Sequence, residues 1–313
     1  MITTLSLSPA VDKIYFVDDF KAGGLYRVSN IVKSAGGKGI NVARVASILG
    51  ETVCCLGFKA GDTGSWLESE LKKLGVGTAF VEVKGESRTN NNIIDRASGT
   101  ETEVLEIGPF IDEKSIEKFL GIFMETLPAT DVLVCSGGLP EGVTRDFYRT
   151  LIDMAKPLGV KVILDTSNEM LEEGIKAQPY MIKPNLRELG RYAGKKLEST
   201  EDIVKTCREI IAGGVNTVVA SLGGGGAYFV TGDLVLYSPV PRVEPVNTIG
   251  SGDSMVAGCA AALSRGYAPA DILKLGMACA VANTQYMEIG YVSSEMVDRY
   301  IGEIIIEERV VGL

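Results

Sequence analysis

Short runs of aliphatic and β-branched residues alternate along the 313-residue chain with segments whose apolar residues recur at helical spacing. This alternation predicts a parallel sheet covered by helices, because neighbouring parallel strands must be joined by a crossover that is usually a helix. The predicted strands are Ile2–Leu7, Thr52–Gly57, Val132–Ser136, Lys161–Asp165, Met181–Lys183 and Thr217–Ser221. The predicted helices are Ile40–Leu49, Trp66–Leu74, Ser115–Glu125, Arg145–Leu158 and Thr200–Ala212. No repeat or low-complexity linker divides the chain, so we expect residues 1–313 to form a single α/β domain.

Two stretches depart from this alternation. Ile14–Val32 and Arg88–Ile107 alternate apolar with polar residues and contain glycine-rich turns, a pattern typical of antiparallel strands without intervening helices. We therefore predict a small antiparallel sheet built from insertions at about residues 12–34 and 87–107. Such a sheet would form a lid that excludes water from a site. The alternative is a pair of exposed hairpins with no role.

Composition excludes several classes of function. The chain contains no histidine, which removes Ser-His-Asp and Cys-His mechanisms and histidine-ligated zinc. Its net charge of −9 argues against a nucleic-acid partner or an anionic membrane surface. The N-terminus does not resemble a signal peptide, and no apolar run reaches the roughly 18 residues that a membrane helix needs. We expect a cytoplasmic protein whose acid–base chemistry depends on Asp, Glu, Lys, Tyr or Cys.

A glycine-rich turn, Gly250-Ser251-Gly252, precedes a predicted helix at Ser254–Leu263. The first four N–H groups of a helix lack intrahelical partners and the helix dipole adds partial positive charge, so this turn is suited to an anion. Asp253 has two interpretations. It is either an N-cap, or a general base that removes a proton from a hydroxyl attacking a phosphorus held by the turn.

A second turn, Gly36–Gly39, leads into another predicted helix and contains Lys38, with Asn41 one turn later. Bare N–H groups, a point positive charge and an amide are suited to a sugar or sugar phosphate. The sequence has no GxxxxGK[ST] phosphate loop. Its Ser221–Gly226 glycines are followed by Ala227–Val230, which has the composition of a strand, and this argues against a dinucleotide fold. Two anion-competent helix starts favour phosphoryl transfer to a sugar.

The two motifs, AGGKGINVAR at Ala35–Arg44 and VNTIGSGDSMVAG at Val246–Gly258, resemble the two signatures of the PfkB (ribokinase-like) carbohydrate kinases. The likeness extends from Leu5–Asp12 to the C-terminal helices. It implies a doubly wound, mostly parallel sheet flanked by helices, with a small β-sheet lid, and an enzyme that uses ATP with Mg²⁺. The chain is most similar to the branch that phosphorylates phosphorylated ketohexoses. Thr102–Pro109 and the segments around Leu275–Met277 and Gly290–Val292 favour tagatose 6-phosphate, with fructose 1-phosphate as the alternative.

The resemblance also implies site residues. Those matching the transfer centre are the base Asp253 and the anion-hole residues Gly250, Ser251 and Gly252. Those matching the sugar side are Asp12, Gly37, Lys38, Asn41 and Ser136, with Arg27 and Arg88 in the lid. Those matching the nucleotide side are Lys183, Asn185, Ser221, Gly223, Gly226 and Asn283, with Glu188 organising Mg²⁺.

The chain departs from the family pattern at Ser8, where an asparagine is usual, and at Gly138, where a serine is usual. Both positions are on the sugar side. They therefore leave the identity of the sugar acceptor open, but they do not affect the prediction of phosphoryl transfer. A non-catalytic sugar-phosphate sensor is the alternative from another functional class, although such a protein would need neither Asp253 nor Glu188. Exposed edges of the lid strands further suggest a homodimer through the lid.

Overall fold

The computed structural model describes residues 1–310, which contain a ten-stranded sheet and a separate four-stranded sheet. The strands, in chain order, are β1 Ile2–Ser6, β2 Ala10–Val17, β3 Ile31–Gly36, β4 Val53–Lys59, β5 Gly77–Glu82, β6 Arg88–Asp95, β7 Glu101–Leu105, β8 Val132–Ser136, β9 Lys161–Asp165, β10 Met181–Ile182, β11 Thr217–Ser221, β12 Ala227–Val230, β13 Val235–Ser238 and β14 Glu307–Glu308. The helices are α1 Lys38–Ile48, α2 Gly61–Lys73, α3 Glu113–Thr126, α4 Phe147–Ala155, α5 Asn168–Lys176, α6 Leu186–Tyr192, α7 Thr200–Ala212, α8 Ser251–Ser264, α9 Pro269–Asn283 and α10 Ser294–Glu303.

The large sheet has helices on both faces, as the resemblance implies. Its strand order is β14-β13-β12-β11-β10-β9-β8-β1-β4-β5, and the seven strands from β11 to β5 pair in parallel. Alternate residues of each strand face opposite sides, so β8 places Val132 and Val134 in one core and Leu133 and Cys135 in the other. One core also contains residues of α1, α8 and α9, and the other contains residues of α3, α4 and α7.

The strand order reverses beside β1, which pairs with β4 on one side and with β8 on the other. In open α/β sheets a crevice forms at the carboxyl ends of the strands where the order reverses. Ser136, Asp165 and Ser221 end β8, β9 and β11, and Lys183 directly follows β10. The topology therefore gathers polar residues that are far apart in sequence at one edge of the sheet.

The small sheet has the order β3-β2-β6-β7, and each of the two insertions contributes two strands. Pairing within each insertion is antiparallel, as predicted, while β2 and β6 join the insertions through a parallel pair. Asp12 is paired with Asn90 across this central junction. The small sheet is thus one unit, and its two middle strands lead directly into the crevice.

Each predicted strand and helix is present, with shifted ends at several positions. The helix expected at Trp66–Leu74 begins earlier, at Gly61, directly after the extended residue Ala60. The start was not predicted because residues 61–65 are small or polar and show no apolar periodicity. The strand at Gly77–Glu82 was not predicted, since its edge position leaves most of its residues only partly buried. Within residues 1–310, no helix combines the length and the apolar composition needed to cross a bilayer.

Candidate active site

Two adjoining cavities lie at the carboxyl edge of the large sheet. The first, of about 400 Å³, is bounded by the lid strands, the start of α1 and the turn before α8, and we call it the acceptor cavity. The second, of about 410 Å³, lies between the Ser221–Gly226 loop, the segment 240–248 and helices α8 and α9, and we call it the nucleotide cavity. Ser221 and Gly252 line both cavities. The start of α8 therefore lies at the boundary between the two cavities.

The turn before α8 contains a glycine in the left-handed conformation. Gly250 is the N-cap with φ +82°, a region that favours glycine, and a Cβ there would lie 2.8 Å from the backbone nitrogen of Gly290. Helix α8 begins at Ser251, so the amides of its first turn have no intrahelical acceptor. Ser251 and Gly252 line the nucleotide cavity, and Gly250 and Gly252 line the acceptor cavity.

Asp253 is in the first turn of α8 but does not occupy the cap position, which belongs to Gly250. Its carboxylate accepts a hydrogen bond from Asn41 Nδ2 on α1, at 2.8 Å, and it lines the acceptor cavity. The side chain is almost fully buried. Of the two interpretations of this residue, the geometry favours a base facing the acceptor over a helix cap.

Burial raises the pKa of Asp253 to about 6, and the charge of Asp165 adds to this effect, while Lys38, Asn41 and Lys183 oppose it. A base acts only when deprotonated. We therefore expect kcat/KM to fall as the pH drops through about 6 and to reach a plateau above it. Initial rates between pH 5 and pH 8 test this, with sugar-phosphate affinity measured separately because phosphate monoesters also ionise near pH 6. A profile that is flat down to pH 5 would contradict the assignment.

Two lysines and one buried carboxylate lie beside Asp253. Lys38, in the first turn of α1, has its Nζ 3.3 Å from Asp165 Oδ2, and Lys183 has its Nζ 3.1 Å from Asp165 Oδ1. Asp165 also accepts a hydrogen bond from Ser136 Oγ at 3.3 Å. Lys38 and Lys183 both line the acceptor cavity. The pair gives an acidic protein a local concentration of positive charge.

The lid contributes a chain of hydrogen bonds to the other side of the acceptor cavity. Arg88 Nη1 donates to Asn90 Oδ1 at 3.0 Å, and Asn90 Nδ2 donates to Asp12 Oδ1 at 2.8 Å. Burial raises the pKa of Asp12. The hydrogen bond from Asn90 and the charge of Arg88 partly offset this increase. Gly36 permits this arrangement, since a Cβ there would lie 1.8 Å from Asp12 Oδ2. The cavity thus presents a carboxylate for hydroxyl groups next to a guanidinium for an anion.

The nucleotide cavity combines a polar loop with an apolar wall. Gly223 and Gly226 line it with φ of +57° and +92°, and Gly226 passes so close to Ser238 that a Cβ would lie 2.0 Å from its carbonyl oxygen. Met255, Met277, Ala280 and Val281 supply apolar surface. Glycines leave backbone N–H groups accessible to phosphates, and an apolar wall beside them is suited to the planar base of a nucleotide.

Asn185 and Glu188 form a capping box at the start of α6. Glu188 N–H donates to Asn185 Oδ1 and Asn185 N–H donates to Glu188 Oε2, each at 2.9 Å. No other hydrogen bond to the Glu188 carboxylate is present among residues 1–310. The structure thus shows a capping role for Glu188 and leaves its second oxygen for another ligand.

The structure brings together most of the residues implied by the resemblance, although not always in the expected place. Lys183 and Asn185, expected on the nucleotide side, line the acceptor cavity. Ser136 and Asn283 are buried and line neither cavity, since Ser136 binds Asp165 and Asn283 Nδ2 donates to Tyr291 O at 3.0 Å. Arg27 is exposed in the loop between β2 and β3 and is also outside both cavities.

Among the polar residues of the site that were missed are Asp165 and Asn90. Asp165 was recognised only as the end of a strand, and Asn90 only as part of the lid. For Asp165, the available signal was its place at the carboxyl end of a predicted parallel strand. For Asn90, the register with Asp12 is known only from the structure.

A scan of family models matches residues 5–295 to the pfkB family of carbohydrate kinases. The chain belongs to this family. It is 35% identical over 307 residues to tagatose-6-phosphate kinase of Staphylococcus epidermidis, covering 97% of this chain and 98% of that protein. It is 34% identical over 304 residues to 1-phosphofructokinase of Bacillus subtilis, with the same coverage. The tetrameric inhibited form of phosphofructokinase-2 from Escherichia coli superposes with a TM-score of 0.88 at 29% identity, covering 96% and 98% of the two chains.

Family membership confirms the implied fold and the class of enzyme, a kinase that acts on a carbohydrate. The two relatives named above act on different sugar phosphates, judged by their names, at almost the same identity. Overall similarity therefore does not separate these two acceptors.

Proposed function

We propose that the protein transfers the γ-phosphoryl group of ATP to a hydroxyl of a phosphorylated ketohexose. The observation that carries this proposal is the position of Asp253 and the Gly250–Gly252 turn, where the two cavities meet at Gly252 and Ser221. ATP in the nucleotide cavity would direct its terminal phosphate towards the first-turn amides of α8, of which the Ser251 N–H donates to Thr248 O at 3.3 Å in this structure. A hydroxyl in the acceptor cavity would then lie between that phosphate and the Asp253 carboxylate.

The residues present account for each part of the reaction. Asp253 accepts the proton of the attacking hydroxyl as the new O–P bond forms and the bond to the leaving ADP breaks. The amides of the Gly250–Gly252 turn and the ammonium groups of Lys38 and Lys183 offset the negative charge of the transferred group. Each such preorganised donor contributes about 3 kcal/mol in comparable sites.

A Mg²⁺ ion that arrives with the nucleotide is part of this proposal. Among the described residues, no three Cys, Asp or Glu side chains come together as a metal-binding group. Mg²⁺ at kinase sites is held by one or two carboxylates together with substrate phosphates and water. Glu188, which follows the cavity-lining Asn185 but lines neither cavity itself, is the residue that would supply a carboxylate, while the ion would shield phosphate charge.

The acceptor cavity contains the charges that a sugar phosphate needs. Arg88, Lys38 and Lys13 line it together with the buried carboxylate of Asp12. Lys38 already has Asp165 as an anionic partner, but Arg88 and Lys13 form no salt bridge among residues 1–310, so the phosphate of a ketohexose phosphate would supply the anion that an unphosphorylated sugar lacks. Tagatose 6-phosphate is our first choice, because the segment Thr102–Pro109 and the stretches Leu275–Met277 and Gly290–Val292 resemble kinases for that sugar, and fructose 1-phosphate is the second.

Release of ADP from ATP–Mg²⁺ in a coupled assay tests the proposal. The acceptors to compare are tagatose 6-phosphate, fructose 1-phosphate, fructose 6-phosphate and the unphosphorylated ketoses, ranked by kcat/KM. We expect a phosphorylated ketose to be preferred by orders of magnitude over its parent sugar. Equal use of the parent sugar would contradict the role of the cations. Tight sugar-phosphate binding without any ADP release would instead favour the non-catalytic sensor.

We further propose a homodimer through the lid. Leu25, Ile31, Val104, Leu105 and Ile107 are large apolar side chains of the lid region that are half or more exposed. The outer strands β3 and β7 also leave unpaired edges. In a symmetric pair, the exposed Arg27 loop would lie next to the second copy. Sedimentation at micromolar concentration tests this, and a monomer of 33.3 kDa would contradict it.

A further inference from the structure

Asp165 is the most buried charged group of the site, with only 1% of its side chain exposed. Burial by itself would raise the pKa of this carboxyl, but the neighbouring Lys183 and Lys38 outweigh it, so the pKa is lowered. Its contacts come from three different elements: Lys38 on α1, Lys183 after β10 and Ser136 on β8. A buried carboxylate persists in this form only when it is paired on several sides.

The two lysines that Asp165 contacts point towards the transfer centre. Lys183 Nζ lies 3.4 Å from the position that a Cβ on Gly252 would occupy, and Lys38 lines the acceptor cavity with its side chain 42% exposed. Two ammonium groups that bind the same carboxylate repel one another, and a lysine side chain without a partner samples many rotamers. A single carboxylate between them removes both costs.

We propose that Asp165 is a positioning residue that holds the Lys38 and Lys183 ammonium groups in place for phosphoryl transfer, without touching either substrate. This inference rests on the proposed function. Charges that are already oriented when the phosphoryl group moves lower the barrier more than charges that must reorganise. Asp165 thereby also sets the local charge balance that Asp253 experiences.

The chain contains a matched control. Glu68 on α2 also binds two lysines and one hydroxyl, with Lys59 Nζ at 2.5 Å, Lys72 Nζ at 2.8 Å and Thr78 Oγ1 at 2.9 Å. It lines neither cavity. Glu68→Gln thus removes a carboxylate with a similar set of partners outside both cavities, at a position that is 17% exposed, so it controls for the loss of a lysine-paired carboxylate.

For Asp165→Asn we expect kcat to fall about 10²-fold, with the KM for ATP largely kept. Loss of the Asp165 charge should also move the acidic limb of the kcat/KM profile to lower pH, because that charge raises the pKa of Asp253. Lys38 and Lys183 still act on the pKa of Asp253 in this variant, and Asp12, Lys13, Arg88 and Glu103 line the same cavity. Glu68→Gln should change thermal stability without moving the acidic limb of the profile.

A double-mutant cycle tests the coupling of Asp165 to Lys38. Lys38→Met should lower kcat by a smaller factor in the Asp165→Asn background than in the wild type.

A second readout does not depend on catalysis. Lysines methylated with ¹³C-formaldehyde give resonances that titrate, and the Lys38 signal, assigned with Lys38→Met, reports the pKa of that amine without any substrate. Asp165 is the main cause that raises the pKa of Lys38, so Asp165→Asn should lower it and Glu68→Gln should not.

The outcomes separate the two proposals. If the wild type transfers phosphoryl to no sugar phosphate, the proposed function is wrong, while the lysine titration still decides whether Asp165 holds Lys38. An Asp165→Asn protein with wild-type kcat and pH profile would overturn the inference. So would additive losses in the cycle, or an unchanged Lys38 titration. If Asp165→Asn does not fold, its methyl resonances will lose their dispersion. The same tests are then carried out on Asp165→Ser.

Discussion

Asp253→Asn is expected to lower kcat by roughly 10² or more while sugar-phosphate affinity is largely kept. Asparagine has the same shape and can still accept the hydrogen bond from Asn41, but it cannot take the proton of the attacking hydroxyl. The loss should therefore be in turnover and not in binding. Steady-state ADP release gives kcat, and calorimetric titration with the sugar phosphate gives the affinity.

Asp153→Asn is the control for this prediction, because Asp153 is an exposed acid on α4, 56% exposed and 3.9 Å from its nearest arginine partner, Arg149. It should leave both quantities unchanged. Turnover of Asp253→Asn close to that of the wild type would sink the base assignment, and Asp253 would then be a structural acid of the first turn of α8.

Lys38→Met is expected to weaken sugar-phosphate binding by about 30-fold, which corresponds to the roughly 2 kcal/mol of a charged hydrogen bond, with a much smaller change for ATP. Lys38 lines the acceptor cavity and not the nucleotide cavity, and methionine keeps most of its apolar length. Asp165 keeps Lys183 as a partner in this variant, so the fold should be retained. Calorimetry with each ligand separately measures the two affinities.

The matched substitution is Lys73→Met on α2, where the lysine is exposed and paired with Glu70. It removes one positive charge from the protein without touching either cavity, so both affinities should stay at their wild-type values. Equal losses for sugar phosphate and ATP in Lys38→Met would argue that Lys38 serves the nucleotide or the stability of α1.

The local sequence pattern was sufficient to predict strands that are buried on both faces and helices that bury one apolar stripe. The runs at Val132–Ser136 and Lys161–Asp165 could only be interior strands, and the structure has them with the predicted ends. The early start of α2 and the edge strand Gly77–Glu82 were not evident, because a glycine-rich first turn and a half-exposed strand give weak periodicity.

The amino-acid sequence by itself determined the chemistry available to this protein: no histidine, two glycine turns before helices, and an aspartate and a lysine within them. Those features are local, since a turn and the first turn of a helix involve a few consecutive residues. Only the tertiary structure decided that Asn41 donates to Asp253 from 212 positions away and that Asp165 lies between two lysines. Such contacts depend on which parallel strands are neighbours, and strand order is a property of the whole sheet rather than of any segment.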